Sequence, residues 1–407
     1  MMFTARQETR PPRHQKRLTL VAGGMFHFYH DGIADGLAVF LPFWQTAFGL
    51  SLTQVGLLVS CFEGVTGFFQ MPAGFLGERW GERRMLTAGT LMTAISFVCL
   101  GFVAAVPALV LLLMVGGIGA AVQHPLSAAM IARAYADKGR RLALGTYNFS
   151  GDIGKFLFPA AAALGLPLMG WRPVCMGFGL LGLFVALLSL PALRRTRTAG
   201  PTVQSVRCAT SLKTNIWGIV NTRAFTTLST IGFVDSAVRT GLVTFLPFLL
   251  IQKGLEPHAT GFALALLFVG GAAGKFLCGA LAERFGVIFT IVVTEGMTAL
   301  GIFMLTVFPL TGIYCWLPVL GAALNGTSSV LYGTVVDYVS PHRVGRAFGL
   351  FYTLVIAAGA VSPPIMGTVS DRLGVANSIV LLSWAAAVTV PLALLLHRQS
   401  LKDGRGR

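Results

Sequence analysis

The chain has 407 residues, 55% of them hydrophobic and only 11% charged. A water-soluble domain carries roughly 25% charged residues, so this composition leaves too few to cover a soluble surface. The net charge of +16 sits in short segments between apolar runs, not along one helix face or among interleaved aromatics, which excludes a nucleic-acid surface.

The first 17 residues carry Arg6, Arg10, Arg13, Lys16 and Arg17. No small-residue cleavage site follows the first apolar run, so this segment reads as a retained tail and not a secretory signal. Twelve apolar spans follow, at 18–47, 53–77, 85–105, 108–135, 142–167, 173–193, 224–252, 259–282, 287–309, 313–339, 345–370 and 375–396. Runs of about 20 apolar residues are long enough to cross a hydrocarbon core of ~30 Å. The 49 glycines suit membrane helices packed with their backbones close together. The alternating segments of an outer-membrane barrel are absent. Five of the six cysteines stand alone in apolar runs, without metal or redox spacing, and read as packing residues.

Most Lys and Arg fall on one side of this map: the N-terminal tail, the segments near 79–84, 133–141, 194–223, 284 and 343–346, and the C-terminal tail. The other side holds Arg172, Lys253 and Arg372. By the positive-inside rule the rich side is cytoplasmic, and an even number of spans places both termini there. The expected location is the bacterial inner membrane, crossed many times.

The two halves are alike. Gly36-Leu37 aligns with Gly241-Leu242, and Phe40-Leu41-Pro42-Phe43 with Phe245-Leu246-Pro247-Phe248. The register continues through Gly49/Gly254, Gly56/Gly261, Gly74/Gly279 and Glu78-Arg79-x-Gly81/Glu283-Arg284-x-Gly286, and later Gly145, Pro159 and Gly170 match Gly349, Pro363 and Gly374. A duplicated six-helix unit places a substrate site where the halves meet, near the bilayer midplane. The expectation is an all-α membrane protein of two pseudo-symmetric six-helix bundles. Residues 1–17 form a tail, 18–193 the first bundle, 194–223 a cytoplasmic linker rich in Ser and Thr, 224–396 the second bundle and 397–407 a second tail.

The segment Gly74-Phe-Leu-Gly-Glu78-Arg79-Trp-Gly81-Glu-Arg83-Arg84 resembles the loop between helices 2 and 3 of the major facilitator superfamily, with Glu in place of the usual Asp. That resemblance implies the major facilitator fold and assigns Gly74, Glu78, Arg79, Gly81 and Arg83, with Glu283 and Arg284 of the second copy, to gating. Glycines let helices slide closely, while a carboxylate and an arginine can pair in one conformation only. The patterns His27-Phe-Tyr-His30-Asp31, Gly117-Ile-Gly119-Ala-Ala-Val122-Gln-His124-Pro125-Leu-Ser127 and Gly151-x-x-Gly154-x-x-x-x-Pro159 are similar to the fosmidomycin-resistance type of bacterial exporters. The Gly-Pro-x-x-Gly-Gly antiporter motif of drug exporters is absent from span 5.

Charges inside a membrane are costly, roughly 2.5–3.5 kcal/mol each on insertion scales, and mark functional sites unless paired. Asp31, Asp35, Glu63, Asp152, Lys155, Asp235, Arg239, Lys275 and Glu295 lie deep in spans. His27, Asp31 and Asp35 share one face of span 1, with His30 beside them. A carboxylate and an imidazole can pass a proton, so His27, His30, Asp31 and also Asp235 are the proton-coupling candidates; a static pair joining helices is the other reading. Asp35, nearer the far end of its span, is expected to be solvated. Arg239 pairs with Asp235 one turn away or binds an anionic group, and Asp152 with Lys155 admits the same choice. Lys275 either snorkels to the interface or attracts an anion. His124-Pro125 is expected to kink span 4. Gln123, His124, Asn148, Asn325, Tyr332 and Tyr352 complete the candidate substrate contacts, each alternatively a link between helices.

No Walker-type loop, zinc-ligand spacing or nucleophile elbow is present, so no enzymatic activity, cofactor or metal is expected. The expected function is secondary transport of a small organic solute by alternating access, as proton-coupled export, by a monomer in the lipid bilayer. Proton-coupled uptake of an anionic or amphoteric metabolite is the alternative, and a non-transporting membrane sensor is the rival from another class.

Overall fold

In the computed structural model, described for residues 12–136, 139–195, 218–340 and 344–402, almost every residue is helical. The helices are α1 (Arg13–Phe48), α2 (Leu52–Trp80), α3 (Glu82–Leu100), α4 (Val106–Ala120), α5 (Gln123–Ala134), α6 (Arg140–Met169) and α7 (Trp171–Arg195). After residue 218 come α8 (Thr222–Gln252), α9 (Thr260–Phe285), α10 (Val287–Val307), α11 (Leu310–Thr334), α12 (Val344–Leu373) and α13 (Val375–Lys402). Most of the N-terminal tail, linker residues 196–217 and residues 403–407 lie outside the described residues.

Helices α4 and α5 are two pieces of one span, Val106–Ala134, which leaves twelve spans among the described residues, as the sequence leads one to expect. The expected kink at His124-Pro125 falls just earlier, at Ala121-Val122, where the helical hydrogen-bond pattern lapses while both residues keep right-handed helical dihedrals. Pro125 sits in the first turn of α5 and has no N–H to give to the Ala121 carbonyl. Ten of the described helices are long and apolar enough to cross a membrane by length and composition alone. The exceptions are α1, interrupted by Asp31 and Asp35, and α3, which opens on Glu82-Arg83-Arg84. Both are held inside the bundle by packing: Phe26, Tyr29 and Ile33 of α1 and Leu86 and Phe97 of α3 are at most 1% exposed.

The sequence repeat reappears as backbone geometry. Gly81 and Gly286, the last residues of the two Glu-Arg-x-Gly motifs, adopt φ of 88° and 90°, ending α2 and α9 and turning the chain into α3 and α10. Gly49 and Gly254 (φ 62° and 94°) and Gly170 and Gly374 (φ 76° and 88°) do the same at other repeat-related turns. A residue with a Cβ is strained at such angles.

The halves touch through α2 with α12 and through α6 with α9. A Cβ added to Gly56 would lie 2.3 Å from the Pro363 carbonyl oxygen, and one added to Gly261 would lie 2.3 Å from that of Pro159. Gly56 and Gly261 are repeat mates, as are Pro159 and Pro363, so the same contact is built twice about a pseudo-two-fold axis. Both contacts lie on the side away from the termini. On that side Asp371, at the end of α12, accepts bonds from the Leu52 and Thr53 backbone N–H groups at 2.8 Å each and from Thr53 Oγ1 at 2.6 Å. It caps α2 from the other half.

A candidate transport site between the halves

Helices α1 and α6 cross so closely at Gly154 that an added Cβ would lie 2.0 Å from the Phe28 carbonyl oxygen. The crossing brings the next residue, Lys155, onto the acidic face of α1. Its Nζ lies 3.4 Å from Asp31 Oδ2 and 3.0 Å from Asp35 Oδ2. Asp35 is therefore a paired carboxylate with 17% of its side chain exposed, not the solvated group expected from its position. His27 Nε2 lies 3.1 Å from Asp31 Oδ2, and His124 Nε2 lies 3.4 Å from Oδ1.

The His27 ring also stacks on Tyr147, with centroids 4.2 Å apart. His27 Nδ1 is 2.8 Å from the Tyr147 carbonyl oxygen. A carbonyl can only accept, so Nδ1 carries hydrogen. A neutral His27 would then turn a bare Nε2 lone pair toward the Asp31 carboxylate, two acceptors in contact. A second proton between His27 and Asp31 removes that conflict. Nothing larger fits beneath the pair, because a Cβ on Gly151 would come within 2.6 Å of His27 Nε2 and 2.8 Å of Asp31 Oδ2. His27, Asp31 and His124 bring ligand atoms within 4.8 Å of one another, a spacing that could hold a metal ion. Lys155 already supplies positive charge there.

The ion pairs cross the chain differently from the local spacing. Asp152 does not pair with Lys155 one turn away; Lys275 of α9 donates to Asp152 Oδ1 at 2.5 Å and so joins the halves. Lys275 is thus not a snorkelling lysine. Asp235 and Arg239 do not form the internal salt bridge either, which was one of the two readings their spacing allowed. Asp235 faces Glu295 of α10. Arg239 lines a small cavity of about 60 Å³ with Asp35, Glu63, Thr240, Val243 and Thr244. Among the described residues, no carboxylate comes within the 4.0 Å of an ion pair with its guanidinium.

The remaining candidates divide. His30 is turned away from the cavity, bonded through Nε2 to Thr90 Oγ1 at 3.0 Å and only 3% exposed. Gln123 is fully buried and donates to Tyr147 Oη at 2.9 Å, bracing the stack behind His27. Asn325 donates to the Gly321 carbonyl at 3.3 Å and packs on Gly271, linking α11 to α9. Tyr332 and Tyr352 stack with centroids 4.8 Å apart, and Tyr352 and Asn148 are exposed. The His124 side chain is 50% exposed although it touches Asp31 inside the bundle. Water therefore reaches the site, and with the far side closed by Gly56, Gly261 and Asp371 the route opens toward the termini.

At the gating motif the Glu78 side chain lies outside the described atoms, while Arg79, Glu283 and Arg284 are exposed and Arg83 is partly so. Arg284 lies over the Phe285 ring at 5.4 Å. Nothing lies within 4 Å of a Cβ added to Gly74, so no helix presses on it in this conformation. The ion pair found here is one the sequence did not single out, Glu82 of α3 with Arg133 of α5. Its only signal was that both are charged residues at helix ends on the basic side.

A family model of the major facilitator superfamily matches residues 20–363 and 228–400. The chain belongs to this superfamily. A probable L-galactonate transporter of Escherichia coli (strain K12) is 27% identical over 72% of each chain. The fosmidomycin resistance protein of the same organism is 21% identical, covering 88% of this chain and 87% of its own. A crystal structure of a bacterial homolog of the human lysosomal transporter Spinster, inward-facing and occupied, superposes with a TM-score of 0.78 at 19% identity, covering 97% of this chain and 99% of that one. The protein is a multi-pass membrane transporter of small solutes.

Proposed function

We propose that this transporter moves small organic anions together with protons, by alternating access at the site between α1, α6, α8 and α9. The observation that carries this reading is Arg239: a cation at the meeting point of the halves with no carboxylate paired to it, while Asp31, Asp35 and Asp152 are already matched by Lys155 and Lys275. A carboxylate of the solute is the natural partner for its guanidinium. The cavity beside it is the closed apex of the path and holds about two waters, so the solute is taken to rest below it. There His124, Asn148, Tyr332 and Tyr352 are its neutral contacts.

An anion placed among Asp31, Asp35 and Glu63 favours a proton on them, and by reciprocity a bound proton favours the anion. Solute and proton then travel the same way, and an inward proton gradient drives uptake. Export by antiport, expected from the likeness to fosmidomycin-resistance proteins, requires the two to displace each other, which suits a cation better. The carboxylate named for the L-galactonate relative agrees with this class. His27 and Asp31 are the primary proton site. The basic side of the map is taken as cytoplasmic, which makes this conformation inward-open, and the unit is a monomer in a bacterial inner membrane.

The test is binding of a panel of sugar acids and short hydroxy acids to the purified protein. Arg239→Gln is expected to abolish it. Equal binding by the variant, or binding of cations alone, would overturn the reading.

A further inference from the structure

Glu295 is a buried carboxyl for which the site above has no use. It lies on α10, 1% exposed, and its Oε1 has no N–H or O–H partner. Asp235 of α8, 5% exposed, is within hydrogen-bonding reach of it. The other oxygen, Oε2, is 3.0 Å from Thr389 Oγ1 of α13. Thr389 Oγ1 is also 2.5 Å from the Ala386 carbonyl oxygen. A hydroxyl has one hydrogen, and the Ala386 carbonyl can only accept it. When Thr389 donates there, only a protonated Glu295 can close the second contact. Two carboxylates, likewise, cannot hydrogen-bond without a proton between them. One hydrogen held between Asp235 and Glu295 satisfies that pair, and the Thr389 contact is then closed by the Thr389 hydroxyl donating to Oε2. The other groups facing Asp235 are Arg239, one turn further along α8, and Tyr332 of α11.

We propose that Asp235 and Glu295 share one proton, forming a second proton site in the C-terminal half whose loss turns Asp235 onto Arg239. This rests on the reading of Arg239 as the anion-binding group. While the proton is held, Asp235 is engaged with Glu295 and Arg239 is available to the solute. When the proton leaves to water in the open cavity, two like charges remain in contact in a poorly solvated interior, where they repel strongly. Asp235 relieves this by taking the guanidinium one turn away, and the anion loses its partner. No other bond changes. Release of the proton and release of the solute are thereby the same event.

The infrared spectrum of the purified protein at neutral pH is expected to show a carboxylic-acid C=O band that Glu295→Gln and Asp235→Asn each remove and Glu283→Gln does not. In proteoliposomes, Glu295→Gln is expected to lose accumulation driven by a pH gradient and to keep solute exchange without a gradient, with Glu295→Asp restoring part of the accumulation. A band unchanged in both variants overturns the proposal. So does wild-type accumulation by Glu295→Gln, and so does loss of exchange together with accumulation, which would make the pair structural. If the wild type itself shows no proton-driven accumulation, the transport reading fails, while the infrared band still decides whether the pair holds a proton.

Discussion

At the scale of single residues, the site depends on small clearances around shared protons. Gly151→Ala would press a methyl group against His27 Nε2 and Asp31 Oδ2, at 2.6 and 2.8 Å. It is expected to abolish transport while the protein still inserts, measured as solute flux against the amount in the membrane. Asp31→Asn removes the carboxylate between Lys155, His27 and His124. It should end proton-driven accumulation and leave exchange without a gradient measurable. Full accumulation by Asp31→Asn would show that the cluster is a structural pair. The His27–Asp31 face was legible in the sequence because i, i+4 spacing is a local property of a helix. The pairing of Lys275 with Asp152 was not, since the partners are 123 positions apart and only the packing of the halves brings them together. Glu295 was unreadable for the same reason: its partner stands on another helix.

At the scale of elements, helix ends and crossings set the state of the molecule. The N-terminus of α2 is capped twice. Ser51 Oγ accepts from the Gln54 N–H at 3.2 Å within its own half, and Asp371 takes the Leu52 and Thr53 N–H groups from the other half. A capping side chain contributes about 0.5–2 kcal/mol. The Asp371 contribution exists only while the far side is closed. Its repeat-related position, Pro167, offers no such oxygen, so the latch is present at one of the two pseudo-symmetric contacts. Asp371→Ala is expected to favour opening of the far side, read as faster labelling of a Thr244→Cys variant from that face; Thr244 is 2% exposed in the present conformation. Unchanged labelling would mean that the cap holds nothing shut. The turns at Gly81 and Gly286 were legible from the repeated motif. The interruption between α4 and α5 lies one turn before Pro125, because Pro125 has no N–H to give to the Ala121 carbonyl and its ring crowds it.

At the scale of the whole molecule, duplication places the working parts at the seam and then lets them diverge. The paired contacts of Gly56 with Pro363 and of Gly261 with Pro159 predict that Gly56→Ala and Gly261→Ala act alike, each disfavouring closure of the far side. Opposite effects of the two on far-side labelling would contradict the pseudo-two-fold reading. The Asp152–Lys275 bridge makes a second prediction. Removing one partner of a buried pair leaves an uncompensated charge, a loss on the order of 3–5 kcal/mol when fully buried. The cost here is smaller because 31% of the Lys275 side chain is exposed. Asp152→Asn and Lys275→Met should each lower the thermal midpoint, and the double variant should recover most of it.

The central claim is that an organic anion and a proton cross together. The most direct test follows proton movement with a pH-sensitive dye in proteoliposomes while a sugar acid is added, with no gradient imposed at the start. Entry of the acid accompanied by protons, lost in Arg239→Gln, is the predicted result. Solute entry without proton movement, or protons leaving as the solute enters, would contradict the account.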